Sequence, residues 1–326
     1  MADSHSPTLT LGTRGSELAL TQTEMVTAAL RAAHPGLRVE RKIIATAGDK
    51  RPDLRFAEFS QGDNAVTDKG IFIKELEIAL QAGEIDAAVH SLKDVPSELA
   101  APFHIPAVLP RAAIEDVLIT RDACDLKSLR HGARIGTSSV RRARLMKWLR
   151  PDVEIVEIRG NVPTRVRKVT GEHALDAVLL ARAGVLRLGL LEKDSPTLRI
   201  GDLTLHVLVL DERTFFPAAG QGAVGIECRA GDDRVGDLLR AINHEETMRR
   251  VTAEREFLRL LGAGCHTPVG ARTWLEGAAI HMAVCVFPED DPAAAPREVS
   301  ASHTDPLALA AAIMERGGFT RLNHQP

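Results

Sequence analysis

The chain has 326 residues, a net charge of −3 and an aromatic content of 3% with no tyrosine, a balance unlike the basic, aromatic-rich surfaces of nucleic-acid binders. Its four cysteines, Cys124, Cys228, Cys265 and Cys285, include no Cys-x-x-Cys pair, which argues against a metal ribbon or disulfide framework and fits a reducing compartment. The first residues show no secretory or transit pattern and no segment reaches membrane-spanning length, so a cytoplasmic protein with no membrane partner, no nucleic acid and no metal is expected, with room for two or three domains.

Leu9-Thr10-Leu11-Gly12-Thr13 reads as a short strand, and Ser16 is placed to cap a helix running to about Ala33, which His34-Pro35-Gly36 ends. A strand-to-helix turn offers free backbone N–H groups and the positive end of a helix dipole, so anions bind there readily. Arg14 is either a bidentate carboxylate clamp at this turn or a solvated charge. Residues 37–46 read as a second strand. The polar segment 48–69 is long for a connection, hence mobile or functional. A helix opens within Lys69–Glu77 and runs to Gln81, and Ile85 to His90 reads as a strand. That strand leads into Ser91-Leu92-Lys93-Asp94. Strand carboxyl ends in open α/β sheets face the binding crevice. Lys93 and Asp94 are therefore either a surface ion pair or an anion grip beside a carboxylate that handles protons and stabilises a cation.

Arg111 to Leu129 reads as a mixed crossover, after which the opening pattern returns: Ile135-Gly136-Thr137-Ser138-Ser139 matches strand, Gly-Thr, helix start. This weak repeat implies two α/β domains. Arg141 and Arg142 stand in the first turn of the following helix, where the dipole disfavours cations, so an anion is expected nearby. The strand Val153 to Ile158 leads into Arg159-Gly160-Asn161-Val162-Pro163-Thr164-Arg165, and the strand Ala177 to Leu180 into a helix with Arg182 and Arg187. One domain thus places Arg141, Arg142, Arg159, Arg165 and Arg187 at the same edge of a sheet, as a shared anionic site. The Gly-x-Gly-x-x-Gly at Gly220 to Gly225 comes late, with Pro217 where a leading strand should run, and reads as a turn into the strand Val224 to Arg229 rather than a dinucleotide fingerprint.

Beyond Glu245 a smaller α+β unit follows: a helix to Leu261, strands near Val269 to Trp274 and Ile280 to Phe287, and a last helix from Pro306 to Arg316. Between its first helix and first strand lies Gly262-Ala263-Gly264-Cys265-His266-Thr267-Pro268. Cys265 is either a buried structural thiol or one with enough room beside it for a bulky adduct.

The stretch from Glu254-Arg255 to Gly264-Cys265-x-Thr267-Pro268-Val269-Gly270 resembles the cofactor-attachment motif of the hydroxymethylbilane synthase (porphobilinogen deaminase) family, with Ala263-Gly264 where the family usually has two glycines. Thr13-Arg14-x-Ser16, Lys69-Gly70-x-Phe72-x-Lys74-Glu75, His90-Ser91-x-Lys93-Asp94, Gly136-Thr137-Ser138-Ser139-x-Arg141-Arg142, Arg159-Gly160-Asn161 and Gly220-Gln221-Gly222-Ala223 resemble further family motifs in the right order. The resemblance implies two solute-binding-protein-like α/β domains around a cleft plus a smaller C-terminal α+β domain. It divides the chain into 1–112 completed by 216–241, 113–215, and 242–326. It also implies a monomer that joins four porphobilinogens head to tail with loss of ammonia, on a dipyrromethane held to Cys265 by a thioether. By the same resemblance Asp94 is catalytic. Ser91, Lys93, Thr137, Ser139, Arg141, Arg142 and Gly160 hold the cofactor, and Arg14, Ser16, Lys69, Arg159, Arg165 and Arg187 hold substrate. The acidic segment 58–68 departs from the family pattern. A non-enzymatic two-lobed binding protein for a small carboxylate also explains the repeat and the arginines, but not Cys265 or the third domain.

Overall fold

A computed structural model describes residues 8–46, 73–123, 125–171, 174–264, 267–291 and 294–322. In chain order the elements begin with β1 (Thr8–Thr13), α1 (Glu17–Ala33), β2 (Arg38–Ile43), α2 (Lys74–Gln81), β3 (Ala87–Ser91), a 3₁₀ turn (Leu92–Asp94), β4 (Phe103–Val108) and β5 (Asp116–Thr120). There follow β6 (Arg134–Gly136), α3 (Val140–Leu149), β7 (Glu154–Val156), α4 (Val162–Arg167), β8 (Ala177–Ala181), α5 (Arg182–Arg187), β9 (Thr197–Ile200) and β10 (Leu203–Val209). The chain closes with β11 (Val224–Arg229), α6 (Asp233–Arg240), α7 (Glu245–Leu261), β12 (Val269–Glu276), β13 (Ala279–Val286), β14 (Arg297–His303) and α8 (Pro306–Gly317).

Two compact units form, Met1–Arg111 with Ala223–Arg249, and Ala112–Gly222 with Arg250–Pro326. The first holds a sheet of order β2-β1-β3-β11-β4. Strands β2, β1 and β3 are parallel, and β11 runs antiparallel to both β3 and β4. Alternate residues Leu9 and Leu11 of β1 pack with Val26 and Leu30 of α1 and with Ile226 of β11, all fully buried. The strand β4 was not anticipated from the sequence.

The second unit holds a sheet of order β7-β6-β8-β5-β10-β9 and a three-stranded antiparallel sheet, β12-β13-β14, on which α8 packs. Within the larger sheet β7, β6 and β8 are parallel, while β5, β10 and β9 each run antiparallel to the strand before them in that order. The stretch expected to be a crossover, Arg111 to Leu129, thus contains β5, a central strand buried along its whole length. One core joins the larger sheet to the smaller: Phe215 and Phe216 pack with Leu118 and Leu179 on one side and with Cys285 and Phe287 on the other.

The internal repeat has a steric basis. A Cβ on Gly12 would lie 2.2 Å from Ile85 Cδ1, and one on Gly136 would lie 2.6 Å from Leu175 Cδ1 and 2.9 Å from Ile158 Cγ2. In each sheet neighbouring apolar side chains close over the last residues of the strand, so any Cβ there would force their tips to shift. The following threonine, Thr13 or Thr137, is buried, and a serine then caps a helix.

Candidate functional site

The first sheet places two of the expected segments on one edge. Strands β1 and β3 are parallel neighbours, so Arg14-Gly15-Ser16 and Ser91 to Asp94 both leave from its carboxyl edge. Ser16 is the N-cap of α1, its Oγ accepting from Ala19 N at 3.3 Å, and Glu17 adds a favourable charge to the first turn. Ser91 is fixed from α1: Gln22 Nε2 donates to Ser91 Oγ at 2.9 Å. The buried His90 just before it is 2.9 Å from Oε2 of Glu227 on β11. Two hydrogen-bonded neighbours therefore hold the backbone from which the 3₁₀ turn starts. Arg14 and Lys93 are half-buried and engaged with other groups. Asp94 is exposed and its carboxylate has no partner among the described residues, so the expected alternative of a Lys93–Asp94 surface pair is not formed.

The second sheet does the same with more charge. The carboxyl ends of β6, β7 and β8 share one edge, and β5, being antiparallel to β8, starts there with Asp116 opposite Ala181. Past β6, Thr137 Oγ1 accepts from Ser139 N at 3.1 Å, and Ser139 Oγ caps α3 by accepting from Arg142 N at 3.4 Å. Past β7, Gly160 has φ +105°, which favours glycine, and its carbonyl accepts from Arg165 Nε at 2.7 Å. Arg159 pairs with Glu157 at 2.8 Å. Past β8, Arg187 Nη2 donates to the carbonyl of Gly222 at 2.7 Å, while its buried Nε has no partner among the described residues. Burial brings the Arg187 guanidinium down to about 10, with no carboxylate beside it among the described residues to offset the effect.

Arg141 and Arg142 are nearly enclosed, each with 5% exposure. Both grip the fully buried Asp116. Arg141 Nη1 lies 2.7 Å from Oδ2, and Arg142 Nη2 and Nε lie 2.7 and 3.0 Å from Oδ1. Gln221 Nε2 adds a third donor to Oδ1 at 3.0 Å. Burial alone would raise the Asp116 carboxyl; the two guanidinium charges and their hydrogen bonds outweigh it and hold the group well below the usual carboxylate range. An anion was expected at the start of α3, and the structure shows one supplied by the protein itself. Sequence reasoning missed Asp116, although a charged residue opening the apolar run Val117-Leu118-Ile119 was a signal that a buried partner was needed.

The turn with the Gly-x-Gly-x-x-Gly spacing joins these groups. Gly220 N donates to Oε2 of the fully buried Glu254 at 2.7 Å, and Glu254 Oε1 accepts from Thr273 Oγ1 at 2.5 Å. Glu254 lies on α7, the helix that leads toward Cys265. Cys265, Lys69 and the segment 58–68 lie outside the described residues, as does Cys124. A Cβ on Gly264 would meet nothing within 4 Å among the described residues. Cys228 and Cys285 are buried, and desolvation pushes their thiols up to about 11 and about 12, which suppresses the nucleophilic thiolate. No helix among the described residues is long and apolar enough to cross a membrane.

Fold and site together define an α/β protein with cationic strand ends in its second sheet, a free carboxylate at the corresponding edge of its first, and a smaller antiparallel domain after them. The chain belongs to the porphobilinogen deaminase family. Residues 9–237 match the family model described as porphobilinogen deaminase, dipyromethane cofactor binding domain, and residues 248–316 match the porphobilinogen deaminase C-terminal domain. A porphobilinogen deaminase of Roseiflexus castenholzii is 45% identical over 269 residues, 82% of either chain. Another, from a Roseiflexus species, is 41% identical over 315 residues, 95% of this chain and 97% of that one. Among solved structures, the VFT2 domain of Bordetella pertussis BvgS is 15% identical at a TM-score of 0.42, over 72% of this chain and 86% of that one. The family assignment decides against the non-enzymatic reading.

The matched family model is that of a dipyrromethane cofactor binding domain, and the residues present fit a ligand that bears carboxylates. Two guanidinium groups share one carboxylate at Asp116, and the buried Nε atoms of Arg141 and Arg187 have no partner among the described residues. Such a donor set favours an acid-bearing ligand.

Proposed function

We propose that the protein is a hydroxymethylbilane synthase, a transferase that joins four porphobilinogens head to tail into linear hydroxymethylbilane and releases one ammonia per addition. The reading is supported most by the gathering of Arg141, Arg142, Arg159, Arg165 and Arg187 at one sheet edge in a chain of this family. A growing chain of carboxylate-bearing pyrroles is a polyanion, and each charge-assisted hydrogen bond to it contributes roughly 1.5–3 kcal/mol. When bound on Cys265, dipyrromethane supplies the pyrrole end to which substrate units are added.

The protein's own residues divide the work. Cys265 holds the cofactor by a thioether; Ser91, Lys93, Thr137, Ser139, Arg141, Arg142 and Gly160 orient it. Arg14, Ser16, Lys69, Arg159, Arg165 and Arg187 hold the acid arms of porphobilinogen. Asp94 faces the pyrrole N–H groups and balances the positive charge that develops as ammonia leaves the aminomethyl carbon. A free, exposed carboxylate suits that task better than one already neutralised. The domain reading that accompanies this keeps 1–112 with 216–241, 113–215, and 242–326 as three domains of a cytoplasmic monomer.

Intact mass of the purified chain, with a colour test using an aldehyde reagent for pyrroles, tests the proposal. A dipyrromethane-sized adduct on the peptide containing Cys265, and ammonia release from porphobilinogen, are expected. An unmodified chain, or an adduct on Cys124, Cys228 or Cys285, would sink it.

A further inference from the structure

We infer that Asp116 is a positioning residue that sets both the orientation and the net charge of the Arg141–Arg142 pair. The inference rests on the proposal that this pair holds an acid arm of the cofactor. Asp116 touches no ligand under this reading: it is fully buried, and both of its oxygens are occupied by the protein's own donors.

The two arginines are gripped unequally. Arg142 turns its Nε and Nη2 fork onto Oδ1, at 3.0 and 2.7 Å, and sends Nη1 to the carbonyl of Leu179 at 3.3 Å. Arg141 gives Asp116 only Nη1, which also donates to the carbonyl of Phe216 at 2.5 Å. Its Nε is left buried with no partner among the described residues. The spare donor therefore sits on the arginine that Asp116 holds by one arm, while the other arginine is locked.

The charge count points the same way. Two guanidinium groups against one carboxylate leave one positive charge, and neither arginine has a second acidic partner among the described residues. A buried unbalanced charge is costly, so the cluster favours one incoming carboxylate. Without Asp116 the pair would carry two unbalanced charges beside the positive end of α3, and repulsion would drive the guanidinium groups apart. The arrangement also reaches the cofactor-bearing element. Gln221 binds Asp116, the adjacent Gly220 binds Glu254, and Glu254 belongs to the helix leading to Cys265. One run of hydrogen bonds thus ties the arginine pair to the helix before the thiol.

The test uses the full-length wild type, Asp116→Asn and Asp116→Glu as purified. The adduct-bearing fraction is read by intact mass, beside melting temperature and the kcat and KM of the adduct-bearing protein. Where a buried partner orients a metal-binding side chain, its loss typically costs about 10–100-fold in affinity or activity, and the same order of magnitude is taken for an arginine held by Asp116. A fall of that size in the adduct-bearing fraction is expected for Asp116→Asn, with partial recovery in Asp116→Glu because the charge returns. A folded Asp116→Asn protein with a lowered melting temperature but wild-type adduct content overturns the inference, since a purely structural role predicts that result. If Asp116→Asn fails to fold, Gln221→Leu removes one bond to Asp116 without changing charge; a several-fold fall supports the inference and full loading overturns it. A wild type without adduct removes the underlying proposal and the inference with it, whereas loaded wild type beside loaded Asp116→Asn removes the inference alone.

Discussion

Asp94 and Asp116 occupy corresponding places in two different sheets. Each sits at the edge where parallel strands end: Asp94 one short turn past β3, and Asp116 at the start of β5 opposite the end of β8. One carboxylate is exposed and has no partner among the described residues. The other is fully enclosed between two arginines and a glutamine. A carboxylate whose lone pairs are all taken can orient its neighbours but cannot receive charge from a substrate. One that is free can stabilise a cation appearing beside it, and loses little fold stability by having no partner because water solvates it.

The largest expected effect separates the two by stability. Breaking a buried ion pair by removing one partner costs about 3–5 kcal/mol, because the other charge stays buried. Asp116→Asn should therefore lower the unfolding free energy of the second unit by about that amount at pH 7, read by denaturant titration, whereas Asp94→Asn should leave it within about 0.5 kcal/mol. The pH dependence sharpens the contrast. The folded-state pKa of Asp116 is depressed, so its contribution is present above the unfolded value of about 4 and is lost as pH falls toward the folded value. The stability gap between wild type and Asp116→Asn should narrow progressively below about pH 4. A gap unchanged from pH 7 down to strongly acid solution would mean that the carboxylate charge contributes nothing.

The second effect reverses the roles. Asp94→Asn preserves size and a hydrogen-bond acceptor but removes the charge. Losing one preorganised electrostatic stabiliser typically costs about 10²–10³ in turnover. Single-turnover rates on protein of matched cofactor content should fall by at least that factor, with KM changed much less because arginines hold the acid arms. Near-normal turnover would move the catalytic role away from Asp94.

The same contrast marks what could be read from the sequence. Two strand-to-helix junctions were legible because each announces itself locally: Gly-Thr closes the strand, and Ser16 or Ser139 stands at the N-cap. Asp94 was legible because it follows a strand directly. Asp116 was not, since its partners lie 25, 26 and 105 residues further along the chain. The apolar run Val117-Leu118-Ile119 hinted that Asp116 needs a buried partner, but nothing local says which residues supply it. Strands β9 and β10 also went unread. Leu198-Arg199-Ile200 and Leu203-Thr204-Leu205-His206-Val207 do alternate about the turn at Gly201, whose φ is +60°, and the buried positions Leu198, Ile200, Leu205 and Val207 follow that period; the signal was present and was overlooked. The Arg141–Arg142 pair pointed to an anion nearby, and the one the structure shows is the protein's own Asp116.

A third and smaller effect compares the glycines that close β1 and β6. In Gly12→Ala the new methyl would press on the tip of a single side chain, Ile85, with the nearest atom 2.2 Å away. In Gly136→Ala it would meet both Leu175 and Ile158, at 2.6 and 2.9 Å. Overpacking a closed core costs typically about 1–3 kcal/mol, and the cost rises when fewer neighbours can turn aside. Gly136→Ala should therefore destabilise more than Gly12→Ala in thermal unfolding. The reverse order would show that the second sheet is the more yielding of the two.

The smallest expected effect concerns the serines that follow those glycines. Ser16 Oγ accepts from Ala19 N at 3.3 Å and Ser139 Oγ from Arg142 N at 3.4 Å, so each satisfies one otherwise unpaired donor of its helix. Replacing an N-cap serine by alanine costs about 1 kcal/mol, and by glycine only a few tenths. The two sites differ in what else stands in the first turn. Helix α1 has Glu17 there, which favours the dipole, whereas α3 has no acidic residue and begins Val140-Arg141-Arg142. A helix start that already carries two cations depends more on its cap. Ser139→Ala should thus lower the melting temperature more than Ser16→Ala, and the glycine variants should recover most of the loss at both sites. The proposed roles at the ligand add a second readout: Ser16→Gly should raise KM for porphobilinogen with the adduct intact, and Ser139→Gly should lower the adduct-bearing fraction instead. If both glycine variants kept wild-type KM and adduct content, the two serines would be helix caps and nothing more.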